Sequence, residues 1–181
     1  MTVGRQQIHM RQVELIAFLR DDGLWDLEVT LKDRKTRTFL GGAGDNCAGT
    51  AIHDLTLSLT VDRHGAVRAA AALMRAVPFV GSCPAAADAY QLLVGLNLFE
   101  DFRTRLRERI GPRDGCSHLS EMALLLPTLA VQSFAGVVYP VRDDGTQTKQ
   151  PPALDRCRGL RTDGEAVRQY FPRWHVQPES L

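Results

Sequence analysis

From Ile52 to Val61 the chain alternates strictly between apolar and polar side chains. Leu55, Leu57, Leu59 and Val61 fall on one face, and Thr56, Ser58 and Thr60 on the other. A period of two is the signature of a half-buried strand, and such a strand requires partners on a sheet. Asp62-Arg63-His64-Gly65 turns the chain, and Ala66 to Val77 returns as the second arm of a hairpin, although its alanines are poor strand formers. Residues 7–19 also alternate roughly. Asp21-Asp22-Gly23 is a turn, and residues 24–32 set Leu24, Asp26 and Glu28 against Trp25, Leu27 and Val29, which predicts an earlier β-hairpin. Between the two hairpins Gly41, Gly42, Gly44 and Gly49 mark residues 38–50 as a loop.

After Val77 the period changes. Cys83-Pro84 has the form of a helix start, and Ala86, Ala89, Tyr90, Leu93 and Val94 recur at helical spacing as far as Gly95. A charged helix is predicted over 99–110, with Phe99, Phe102, Leu106 and Ile110 as its apolar stripe and Gly111-Pro112 as its stop. A long apolar core helix follows over 117–135, which Pro127 should kink or split. Residues 140–160 carry Pro140, Pro151 and Pro152 among many charges and read as an irregular arm. Asp163 is placed to cap a short helix that ends before Pro172. Strands followed by helices indicate an α+β class. The expectation is one domain over 1–139, an antiparallel β-meander packed on helices, with residues 140–181 as an arm packing on the same domain.

The chain has 181 residues, enough for one substantial core. A net charge of +1 argues against partners such as nucleic acid or an anionic membrane surface. The early apolar run Ile16-Ala17-Phe18-Leu19 ends at Arg20, too short for a signal peptide, and no stretch reaches the roughly 20 apolar residues of a membrane span. The expected location is therefore cytoplasmic, where Cys47, Cys83, Cys116 and Cys157 are reduced thiols rather than disulfides. A homodimer is compatible with this composition.

Chemistry concentrates at Ile52-His53-Asp54, Ser82-Cys83-Pro84 and Gly115-Cys116-Ser117-His118. Thiols and imidazoles are the donors with which proteins hold zinc and iron. Cys83 and Cys116 both sit at predicted helix starts, where a helix dipole favours thiolate. Gly115 permits close approach or an unusual φ, and His118 lies within the same first turn. His53 opens a strand, so Asp54 faces the other way. Cys47 and Cys157 read as incidental thiols. His64 reads as a solvated turn residue, and Arg103, Arg105, Arg107 and Arg109 as a solvated helix face.

Across Asp22-Gly23-Leu24-Trp25, Ile52-His53-Asp54-Leu55, Pro78, Cys83-Pro84, Leu93-Val94-Gly95-Leu96 and Gly115-Cys116-Ser117-His118-Leu119, the chain resembles an uncharacterised bacterial family of domains of unknown function. Its closing segment fits the same family, with Cys157, Gly164-Glu165-Ala166-Val167 and Phe171-Pro172-Arg173-Trp174. The resemblance spans nearly the whole chain and implies no activity. A more distant resemblance is to NifU-like iron–sulfur cluster scaffolds, through the order of Leu55–Val61, the Gly65 turn, Cys83, Leu93-Val94-Gly95 and Cys116. It implies a NifU-like topology over about 52–136, decorated by the N-terminal hairpin. It also implies cluster cysteines at Cys83 and Cys116, with His53 in the place of a ligand-side aspartate. Ala51 stands where the first scaffold cysteine falls, Gly115 replaces a histidine, and His118 is extra. That departure shifts the expectation from a cluster to a mononuclear site.

The reading is a metal-dependent enzyme acting on a small organic molecule by hydrolysis, a lyase step or isomerisation. His53, Cys83, Cys116 and His118 would hold Zn²⁺ or Fe²⁺, with Asp54 or Glu121 as general acid or base. The alternatives are an iron–sulfur scaffold or sulfur carrier, a structural zinc domain that binds another protein, and a metal-free enzyme with Cys83 or Cys116 as nucleophile.

Overall fold

The computed structural model describes residues 3–42 and 44–177. The period-two segments form strands β1 (His9–Leu19), β2 (Trp25–Lys35), β5 (Ala51–Val61) and β6 (Val67–Ala76). The glycine-rich excursion between β2 and β5 is a loop only in part, since it folds into a small antiparallel hairpin, β3 (Phe39–Gly41) and β4 (Gly44–Asn46). The four long strands pair antiparallel in the order β1-β2-β5-β6. The α+β class and the antiparallel meander are therefore observed. The N-terminal hairpin is not a decoration, however. Its second strand, β2, lies between β1 and β5 inside the main sheet.

Register follows from the alternation. Leu27 faces Leu59, Val29 faces Leu57, and Leu31 faces Leu55, all buried. On the other face Thr30 and Thr56 hydroxyls meet at 3.0 Å, and Thr60 donates to Asp26 at 2.7 Å. The alanines of β6 do not prevent a strand, because Ala70 and Ala72 complete the rows of Leu59 and Leu57, and β6 packs against the segment that follows it.

That segment is not the expected α-helix. Cys83–Ala86 and Asp88–Leu93 are two short 3₁₀ turns. The fully buried Tyr90 and Leu93 lie three residues apart, the 3₁₀ repeat, so both side chains enter the core together. The Gly95 N–H donates to the Val67 carbonyl and the Val67 N–H to the Leu96 carbonyl, which fastens the segment's end to β6. The charged helix is α1 (Phe102–Arg109), with Phe102, Leu106 and the following Ile110 buried. Arg109 is not simply solvated, because its guanidinium donates to the carbonyls of Leu92 and Val94, both at 2.8 Å. The long apolar segment is split as Pro127 requires, into α2 (Ser117–Ala123) and α3 (Leu126–Phe134). Pro127 occupies the first turn of α3, where its missing N–H costs nothing.

The chain divides into two compact units, Met1–Ala130 and Val131–Leu181. The first holds the sheet and its core. The second is organised around buried Leu154, Val167 and Phe171, with Leu160 and Trp174 packed against them. Its helix α4 (Glu165–Tyr170) is preceded by Gly164 at the N-cap, not by Asp163, whose carboxylate is taken by the Arg161 guanidinium. Pro172 ends α4 but opens a further 3₁₀ turn, Pro172–Trp174. No helix among the described residues is long and apolar enough to cross a membrane.

The core of the first unit rests on the central rows. Leu57→Ala, at a fully buried position opposite Val29, is expected to cost about 2–5 kcal/mol. Urea unfolding checks this as a lower midpoint with unchanged slope.

Candidate functional site at the end of the sheet

The buried face of β2 runs Trp25, Leu27, Val29, Leu31 and then Asp33. Strand alternation thus delivers a carboxylate to the apolar face, where it is only 2% exposed. Register places Arg11 of β1 opposite it on one side and His53 of β5 opposite it on the other. A fourth cross-strand row, Arg11–Asp33–His53, therefore continues the apolar rows. Arg11 grips both carboxylate oxygens, from Nε and a terminal nitrogen, each at 2.8 Å. His9 Nε2 lies 3.1 Å from Oδ1 and His53 Nδ1 lies 3.0 Å from Oδ2. The β2–β5 register shifts between Asp33 and Arg34, so a bulge sits beside the row.

Burial pushes the Asp33 carboxyl up. The hydrogen bonds and charge of Arg11, with the bonds from His9 and His53, outweigh this and hold it down at about 2. Asp33 is thus an anion that can only accept, which fixes the proton of His53 on Nδ1. In the neutral ring this tautomer would leave the lone pair on Nε2.

The fourth group comes from α2, which packs over β2 and β5. The His118 ring packs against His53 with centroids 4.1 Å apart and the planes tilted by 40°, and its Nε2 lies 4.0 Å from Asp33 Oδ2. Its Nδ1 is 3.9 Å from Cys116 Sγ. Burial, then the charge of His53, then that of Arg11, push the His118 ring below its usual range. Asp33, His53 and His118 each bring a donor atom within 4.8 Å of the others'.

Tyr90 holds the start of α2. Its hydroxyl donates to the Cys116 carbonyl at 2.6 Å, accepts from the Cys116 N–H at 3.1 Å, and meets Ser120 Oγ at 2.8 Å. Burial pushes the phenol up, so it keeps its proton. Gly115 is required by close approach, because a Cβ there would fall 2.5 Å from Ile110 Cγ2 and 3.1 Å from the Tyr90 oxygen.

Of the residues singled out from sequence, His53, Cys83, Cys116 and His118 all line one cavity of about 580 Å³. This is within the roughly 300–1,000 Å³ usual for small-molecule pockets. Cys83 opens a four-residue 3₁₀ turn, so the dipole rationale for its thiolate fails. All four cysteines are free thiols, with Cys47 and Cys157 exposed. Asp54 is not brought to the cavity. It lies on the opposite face, bonded to Arg75 at 3.1 Å with Lys32 at 3.7 Å. Glu121 is exposed on α2, its carboxylate 3.8 Å from Arg11. Sequence reasoning missed Asp33, Arg11 and His9. The signal for Asp33 was present, as an acid in phase with Trp25, Leu27, Val29 and Leu31.

The chain belongs to the family described as protein of unknown function (DUF2889). The match covers residues 9–132, so it contains the whole cluster and leaves the closing segment from Cys157 onward outside it. No curated protein matches the chain. No solved structure matches it either.

Asp33 and His118 are both stronger acids in the folded chain than free, and the two shifts have the same sign in stability. Each group binds its proton less readily folded than unfolded, so acid favours the unfolded chain. His118 contributes stability that is complete above its ordinary value of 6.5 and fades as pH falls through its lower folded value. Asp33 adds an acid limb between its ordinary 3.8 and about 2. That limb amounts to about 2 kcal/mol. Urea midpoints measured across pH are expected to fall along both limbs, and Asp33→Asn is expected to flatten the lower one. Proton NMR should place the His118 midpoint below 6.5.

Proposed function

We propose that this cavity is the active site of a metal-dependent enzyme that holds Zn²⁺ or Fe²⁺ and acts on a small organic molecule. The observation that carries the reading is the pair of adjacent imidazoles on the cavity wall, one of them fixed by an ionised carboxylate. Carboxylate–imidazole pairs of this kind orient histidines that ligate metals. The four hydrogen bonds to Asp33 fill its oxygens, so its role is the outer partner of His53 rather than a ligand.

His53 Nε2 and His118 supply two nitrogen donors, and burial favours the neutral, ligating form of His118. Cys116 Sγ would be the third once its side chain turns toward His53, since among the described residues only Asp33, His53 and His118 bring donor atoms within 4.8 Å of one another. The sulfur lies 3.9 Å from His118 Nδ1. A nitrogen and a sulfur on one tetrahedral ion lie roughly 3.5 Å apart, a few tenths of an ångström less. Cys83, which lines the same cavity, would close the set if it joined it, and would otherwise leave a position open for water or substrate. Nitrogen and sulfur donors suit zinc or iron and not magnesium. The ion would supply Lewis acidity and an acidified water, which serve hydrolysis, a lyase step or isomerisation alike. Glu121, three residues after His118 on the same helix, is the acid–base candidate retained, although it does not itself line the cavity. Asp54 is not, since it lies on the far face of β5.

A second reading is an iron–sulfur scaffold or sulfur carrier with NifU-like topology. Its support is that Cys83 and Cys116, the two cysteines that this resemblance implies, line the same cavity.

Elemental analysis of protein purified without added metal tests both. One equivalent of zinc or iron per chain is expected, with His118→Ala and Cys116→Ser losing it. Asp33→Asn should keep the ligands but weaken metal affinity about 10–100-fold. Iron with acid-labile sulfide turns the choice to the carrier, and full metal content in both ligand variants sinks the proposed site.

A further inference from the structure

Leu55, Met74, Val77 and Phe79 give the cavity an apolar lining. One arginine lines the same space, Arg113, in the turn between α1 and α2. Most arginines near the sheet are already engaged. Arg11 is held by Asp33, Arg20 by Asp22, Arg68 by Asp62 and Arg75 by Asp54, while Arg109 caps two carbonyls. No ion pair or hydrogen bond to Arg113 is found among the described residues. The neighbouring Asp114 also lines the cavity, but its carboxylate is folded back on the turn. A Cβ on Gly111 would come within 2.8 Å of Asp114 Oδ2. The cavity thus combines an apolar wall, two imidazoles with a thiol, and one cationic fork without a partner.

We infer that the ligand of this cavity is an apolar-bodied carboxylate whose charge is received by Arg113. A guanidinium presents parallel donors that match a carboxylate's two oxygens, and a hydrogen bond between charged groups is worth more than one between neutral groups. The wall of Leu55, Met74, Val77 and Phe79 takes the body of the molecule. A ligand held by Arg113 and this lining would share the cavity with His53, Cys116 and His118. The assignment deepens the proposed function by naming its substrate class, but the binding step needs only Arg113 and the wall.

The probe is benzoate, with benzyl alcohol as its uncharged counterpart, and binding is read by calorimetry on the whole chain. Each titration is run on protein as purified and again after chelator treatment. Benzoate is expected to bind in both, and at least tenfold more tightly than benzyl alcohol. Arg113→Gln should weaken benzoate about tenfold and leave benzyl alcohol unchanged, and Arg113→Lys should recover part of the loss. Asp114→Asn should leave benzoate unchanged or tighten it, because it removes a like charge. Unaltered far-UV dichroism of the variants secures the comparison, since Arg113 is exposed and carries no packing load.

The inference is overturned if the two probes bind equally, if neither binds, or if Arg113→Gln leaves benzoate affinity intact. Weakening by Asp114→Asn without weakening by Arg113→Gln overturns it too, by pointing to a cationic ligand. Benzoate binding that depends on Arg113 in protein devoid of metal supports this inference while removing the metal reading. Metal bound by the histidines, with no such dependence on Arg113, does the reverse.

Discussion

A buried carboxylate in the apolar register of a central strand is the constraint from which the rest of this sheet follows. Asp33 continues the inward phase of β2, and an anion placed there costs several kcal/mol unless it is paired and hydrogen-bonded. Arg11 meets that demand from the neighbouring strand with two bonds of 2.8 Å. The pairing works only in one register, because a slip of one residue would carry Arg11 to the opposite face of β1. The edge strand β1 has few buried side chains of its own, and Val13, Ile16, Phe18 and Leu19 are all exposed. Its alignment on β2 therefore depends on the ion pair as well as on the backbone ladder.

The same pairing divides the sheet by function. The rows through Leu27, Val29 and Leu31 bury apolar surface and carry stability. The row through Asp33 gathers one anion, one guanidinium and two imidazoles, and α2 adds a third imidazole from above. What makes the addition accurate is the anchoring of α2. Tyr90, fully buried, engages the backbone of Cys116 twice and the Ser120 hydroxyl once. A short helix with its first turn pinned to the core presents His118 and Cys116 from a rigid support, which is what a catalytic or binding group requires.

Much of this was legible in the chain. The alternation of Leu55, Leu57, Leu59 and Val61 gave the central strand and its buried face. Of the kink or split expected at Pro127 the split occurs, and of the close approach or unusual φ expected at Gly115 the close approach occurs, against Tyr90 and Ile110. The cavity gathers His53, Cys83, Cys116 and His118 from three separated motifs. The misses have physical causes. With the second strand ended at residue 32, Asp33 lay just beyond it, and its inward phase passed unseen. Arg11 and His9 become partners only through a register that one strand alone cannot reveal. The 3₁₀ geometry of Cys83–Leu93 is set by fastening to β6, a tertiary effect that overrides helical spacing. Asp163 has the chemistry of a cap but finds a nearby guanidinium first.

The charge balance of the cluster bears on what it can hold. Arg11 and Asp33 cancel, so the row offers a dication no net negative charge of its own. His118 is kept neutral by burial, which leaves lone pairs rather than charge. Any anionic compensation for a bound Zn²⁺ or Fe²⁺ must then come from the thiols, by loss of the Cys116 proton and, when it joins, that of Cys83. Binding at such a site is proton-linked and weakens in acid. A site built from carboxylates would be charged beforehand and would attract Mg²⁺ or Ca²⁺ from solution. In the proposed site Arg11 neutralises Asp33, the one buried acid among the described residues, so Asp33 would orient His53 and selection of an ion would fall to nitrogen and sulfur.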